Sequence, residues 1–189
     1  MSLRKLTQAA PAVPYGWQRP AFRSGDIFAQ SHGGWGTWKD FKVMCVRVCT
    51  LSTYSHVGVI EVDPTDGRVY AIEAVQPCVH RVPLSTIGSF YHLPMRRAQW
   101  DRGTAMYVDE VLGTPYSQLD AIRAFFNPLP AGTATECAAL TREIEMRCGV
   151  DLGPMSRPDA VVQRALELGS SITYIQNNTS KTTESPWQQ

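Results

Sequence analysis

The 189-residue chain has no charge excess: 18 lysines and arginines stand against 17 acidic residues, a net charge of +1. A nucleic-acid binder needs a clear basic surplus for its phosphate contacts, so that class is not expected. Runs of like charge are missing too, which excludes a polybasic or acidic tail. Long hydrophobic runs are absent. The opening "MSLRKLTQAAPAVPYGWQRP" places no apolar stretch after Arg4 and Lys5, so no cleaved signal peptide is expected. No segment approaches the length of a membrane span, and stable membrane insertion is not expected. Cytoplasmic action is then expected, or carriage outward by another route such as a virion.

Cysteines occur at 45, 49, 78, 137 and 148, an odd number with no Cys-x-x-Cys pair. These spacings match no zinc pattern, and the two ligands of "CVH" (Cys78–His80) do not close a metal site. Free thiols in a reducing compartment are the plainer expectation, and neither a metal nor a cofactor is called for. "HGGWG" lacks the lysine and the strand–helix frame of a phosphate loop. Ser31, Ser52 and Ser55 lack the glycine-flanked elbow of serine hydrolases.

What is present is globular: 43% of residues are hydrophobic and 19% charged, enough for one ordinary core. The pattern predicts an extended Pro-rich arm over 1–22, a single domain over 23–175 and a polar, disordered tail over 176–189. Within the domain, "RSGDIFAQ" turns into a short strand. Trp38, Phe41, Cys45 and Val48 recur as on one helix face. "SHVGVIEV" and "RVYAIEAV" flank the turn residues "DPTDG", and a third strand falls in "VHRVPL" or "SFYHLPM". Further helices are predicted at "AQWDRGTAMYVDEVLG", "TPYSQLDAIRAFFNP", "PAGTATECAALTREIEMRCG" and "SRPDAVVQRALELG", with Gly113, Gly149 and Gly169 closing three of them. The expected fold class is α+β, a small antiparallel sheet packed with helices.

Two chemistry-bearing features stand out. With Asp63–Asp66 as the hairpin loop, Glu61 faces Arg68, Val59 faces Tyr70, and His56 lies directly across from Glu73. A glutamate inside the apolar "YAIEAV" is costly to bury alone, and an imidazole is a fitting partner. The carboxylate would hold one ring nitrogen and leave the other free as a base. The second feature is "GTATECAAL". Thr133 and Glu136 have capping-box spacing, and Thr135 is the alternative cap. Cys137 then falls in the first helical turn, where the helix dipole and a nearby imidazolium favour a thiolate. Tyr54 and Tyr116 could each donate to a developing oxyanion. Cys45 and Cys49 read as core, His32 as a mobile loop residue, and His80 and His92 as ordinary strand or loop residues.

Taken in order, "SGDIF", "TYSHVGVI", "YAIEAV", "LGTPYSQ" and "TECAAL" resemble the circularly permuted NlpC-type cysteine hydrolases, in particular the YiiX-like branch. The match spans residues 24 to about 147. It implies a permuted papain-like fold with Cys137 as nucleophile, His56 as base and Glu73 orienting that base. Tyr116 stands in the tyrosine position of the family's Gly-x-Pro-Tyr-Asp stretch, Ser117 where aspartate is common, and Ala138 where a serine often follows the cysteine. The activity implied is hydrolysis of an amide bond in a cell-wall-type or related peptide, with a peptide or small acyl compound as partner. Lipid thioesterase or acyltransferase chemistry is the alternative, favoured by any apolar groove near Trp35, Trp38 and Phe41. A non-catalytic binding or structural module is the third.

Overall fold

The computed structural model describes residue 7 and residues 9–31, 53–115, 137–154 and 157–177. Among them seven strands form one sheet: β1 (Ala12–Pro14), β2 (Ile27–Gln30), β3 (His56–Val62), β4 (Val69–Val75), β5 (Cys78–Pro83), β6 (Phe90–Leu93) and β7 (Thr173–Gln176). Their order is β1-β7-β6-β2-β3-β4-β5. Every neighbouring pair is antiparallel except β1 with β7. Four helices accompany the sheet: α1 (Tyr15–Gln18), α2 (Arg102–Val111), α3 (Cys137–Arg147) and α4 (Pro158–Glu167). The fold class is α+β. No helix among the described residues is long and apolar enough to cross a membrane.

The alternation of β2, β3 and β4 divides the core between the two faces of the sheet. Ile27, Ala29, Val57, Val59, Ile72 and Ala74 belong to the larger cluster, where Leu140 and Ile144 of α3 and Val161 and Ala165 of α4 pack. Phe28, Ile60, Val69 and Ala71 belong to the second, closed by Phe22, Leu84, Ile87 and Phe90. Helix ends follow their local chemistry. Asp101 caps α2 by accepting from the Thr104 amide at 2.7 Å, and the left-handed Gly113 (φ 82°) follows the helix as expected.

The hairpin register departs from expectation by two residues. Val59 faces Ile72, Glu61 faces Tyr70 and Val62 faces Val69, so residues 63–68 all belong to the loop. Side-chain hydrogen bonds explain the longer turn. Asp63 Oδ1 accepts from the Thr65 amide at 2.7 Å, Asp66 Oδ1 accepts from the Arg68 amide at 2.9 Å, and Gly67 takes a positive φ of 68°. The expected Glu61–Arg68 pair is therefore not formed. Glu61 instead meets Arg81 of β5 at 2.8 Å, and Arg81 also reaches Asp109 of α2 at 2.7 Å.

Both "VHRVPL" and "SFYHLPM" supply strands (β5 and β6), where the pattern asked for one. Both chain ends also join the sheet. The Pro-rich arm is extended over Ala12–Pro14, but as an edge strand paired with β7 rather than a segment apart. Gln176 closes β7, and Asn177 donates its side-chain amide to Ile87 O at 2.7 Å, so the ordered fold runs past the expected boundary. The helix expected over 37–48, the part of the next expected helix beyond Pro115, the caps expected at Thr133 and Thr135, and the tail from 178 lie outside the described residues.

Candidate active site

Three elements bring His56, Glu73 and Cys137 together. His56 is the first residue of β3, Glu73 lies within β4, and Cys137 is the first described residue of α3. Continued by one residue, the register sets Glu73 across from Gly58, two positions along from the expected His56, so His56 and Glu73 are diagonal rather than direct neighbours. A slip of two keeps every side chain on its face, and the contact survives. His56 Nε2 lies 2.9 Å from Glu73 Oε2, with the two side chains only 13% and 11% exposed.

Gly58 makes room for this pairing. A β-carbon there would stand 2.5 Å from Phe28 Cζ and 2.6 Å from the Ile72 carbonyl oxygen. With no side chain at 58, the Phe28 ring settles over the strand and meets the His56 ring at 6.0 Å and 60°. The imidazole thus rests on a residue of the second core cluster while it hydrogen-bonds the thiol of Cys137, which belongs to the first. Glu73 occupies Nε2, so Nδ1 is the nitrogen left for the sulfur.

The electrostatics follow from the same neighbours. Burial is the strongest influence on His56 and pulls its pKa down. Hydrogen bonds and charge from Cys137 and Glu73 outweigh it, and the imidazole is pushed up to about 10. Cys137 is buried, 9% exposed, within the larger core cluster rather than emerging at its rim. Its carbonyl accepts from Thr141 Oγ1 at 2.8 Å, and Leu140 and Ile144 anchor the helix beneath it. A base held by a carboxylate, with a thiol on its other side, can generate a nucleophile.

Tyr54 is fully buried, packs against Tyr91 at 5.5 Å and shares a 2.5 Å hydrogen bond between its hydroxyl and that of Thr7. Burial pushes its phenol up to about 12. Tyr116, His32, Cys45 and Cys49 lie outside the described residues. His80 faces Glu73 from β5, and its Nε2 is 3.9 Å from Cys78 Sγ. Among the described residues no group of three or more His, Cys, Asp or Glu side chains is placed to hold a metal ion.

His92, expected to be ordinary, is half of a second histidine–carboxylate pair. Its Nε2 lies 2.9 Å from Asp26 Oδ2, both side chains are almost wholly buried, and Gln18 Nε2 meets its Nδ1 at 3.3 Å. The same carboxylate accepts from the Arg23 and Met95 amides at 2.9 Å each. These bonds tie α1, the turn before β2 and the end of β6 into one corner of the core. "SGD" before a strand signals a turn, and nothing in it announces a partner 66 residues away. No protein-family model matches the sequence, and no curated protein matches it.

Proposed function

We propose that the protein is a cysteine hydrolase acting by acyl transfer, on a permuted papain-like fold of the NlpC type that its ordered motifs resemble. The observation that carries this reading is the convergence of a buried thiol, an imidazole and a carboxylate from three separate elements. His56 takes the proton of Cys137, and the sulfur attacks the substrate carbonyl carbon to give a tetrahedral oxyanion. The backbone N–H of Cys137, at the positive end of α3, is suited to receive that charge. As the intermediate collapses, His56 returns the proton to the leaving amine and a thioester remains. Water, deprotonated by His56, then hydrolyses the thioester, releasing the acid and restoring the thiol. Glu73 keeps the ring turned toward sulfur and stabilises its positive charge.

The substrate class that comes first is a peptide amide of the cell-wall type, because the residues that carry the resemblance are those of amide-cleaving relatives. Lipid esters are the competing class. Both can be offered to one preparation, with mass spectrometry of the intact protein. An acyl adduct on Cys137 from the peptide, abolished by Cys137→Ala, supports the peptidase reading, while an adduct from the lipid ester alone redirects it to lipid acyl chemistry. His56→Ala is expected to slow turnover by roughly 10²–10⁴-fold. A thiol at 137 that iodoacetamide alkylates no faster than a free cysteine at neutral pH would leave a binding module instead.

A further inference from the structure

The helix that presents Cys137 carries an unexplained acid at its other end. Glu145 is wholly buried, and neither of its carboxyl oxygens has a hydrogen-bond partner. Unpartnered buried carboxyls are rare and costly, so the group calls for an account. Its neighbourhood is acidic. Asp26 raises Glu145 further from the turn before β2, and Cys148, at the end of the same helix, is itself pushed up to about 12, first by burial and then by Glu145. From α2, Thr104 hydrogen-bonds the Cys148 thiol, and the charge of Asp101 adds to its rise. His92 of β6 faces Asp26, to which it is bonded. From α4 the buried residues are Val161, Val162 and Ala165, which carry no charge.

The two carboxyls are unequal. Asp26 is surrounded by donors, namely two backbone amides and the His92 ring, with Gln18 bonded to the far nitrogen of that ring. Glu145 has none. Burial without a donor favours the neutral, protonated form of Glu145. We propose that Glu145, buried without a partner, is protonated in the fold, and that loss of this proton unseats the C-terminal half of α3, making the nucleophile's helix sensitive to pH. Only the consequence for catalysis rests on the proposed function; the titration of Glu145 does not.

Amide hydrogen exchange across α3 and α4 tests this without any substrate. Between pH 5 and 6.5 an opened Glu145 titrates as an ordinary glutamate, whereas a histidine of ordinary pKa is still mostly protonated. One proton is then lost on each opening of α3. After correction for intrinsic exchange, α3 protection should fall by about tenfold per pH unit in the wild type. In Glu145→Gln it should be flat, and Glu145→Met provides a second neutral variant should the glutamine variant fold poorly. Equal slopes in wild type and a folded neutral variant overturn the proposal, as does an α3 whose protection ignores pH. An unreactive Cys137 would sink the hydrolase reading and leave this result untouched.

Discussion

At the scale of single residues, the state of His56 is a contest between burial and partners. Burial alone favours the neutral ring, and Cys137 and Glu73 reverse that preference. Glu73→Gln keeps a hydrogen-bonding group of the same size and removes its charge, so it isolates the electrostatic part. The His56 pKa, followed by ring-proton NMR, should move down from about 10 toward the ordinary histidine range. Each unit lost corresponds to about 1.4 kcal/mol of differential interaction. Cys137 alkylation at neutral pH should slow in parallel, by roughly tenfold per unit. An unmoved His56 titration would mean that the carboxylate only positions the ring. Cys148 is the internal control: 1% exposed and with its thiol pushed up to about 12, it should resist alkylation until the fold opens.

At the scale of elements, β3 works because one position in it has no side chain. Gly58→Ala would press a methyl into Phe28 and the Ile72 carbonyl at 2.5 and 2.6 Å, and backbone cannot yield as a flexible side chain can. Overpacking of this kind costs about 1–3 kcal/mol. In a chain of 189 residues that is a loss of several degrees in Tm, measurable by calorimetry. The substitution should also displace the Phe28 ring from His56 and blunt Cys137 reactivity. If stability falls while reactivity holds, the glycine serves packing alone. How much of this element was legible follows from its period. Alternation of two assigns faces without knowing the loop, so His56 and Glu73 could be paired from sequence although the register was wrong by two. The loop length was not legible, because the Asx turns at Asp63 and Asp66 compete with ladder pairing and leave no trace in hydrophobic pattern. β1 and β7 were missed for a different reason. Each has three or four residues, and β1 pairs with β7 across most of the chain's length while β7 pairs with β6 across nearly half of it. Asp26–His92 and the burial of Glu145 are likewise tertiary facts, invisible where spacing is local.

At the scale of the whole molecule, a net charge of +1 leaves little overall self-repulsion, so specific buried groups set the dependence of stability on pH. Glu145 has its pKa raised in the fold, first by burial. The folded state thus holds a proton that the unfolded chain releases above the ordinary glutamate range, and stability declines as pH rises from there. The raised His56 acts in the same direction over a later window: its contribution is full below about 6.5 and is lost as pH climbs toward about 10. Cys148 extends the decline above the ordinary thiol range. Opposing these, Asp63 and Asp101 are lowered by hydrogen bonds from their own turns, and their contributions fade as the medium becomes acidic. The two sets of slopes enclose a maximum on the acid side of neutrality. Urea midpoints should therefore be highest near pH ~5 and fall through 7 to 9. Glu145→Gln should flatten the first part of the fall, and His56→Gln the part above 6.5, where the ordinary histidine loses its proton. A midpoint that rises steadily to pH 9 would mean that neither buried group holds its proton in the fold. The imidazole between Cys137 and Glu73 would then be an ordinary neutral histidine, with no charge to lend to either partner.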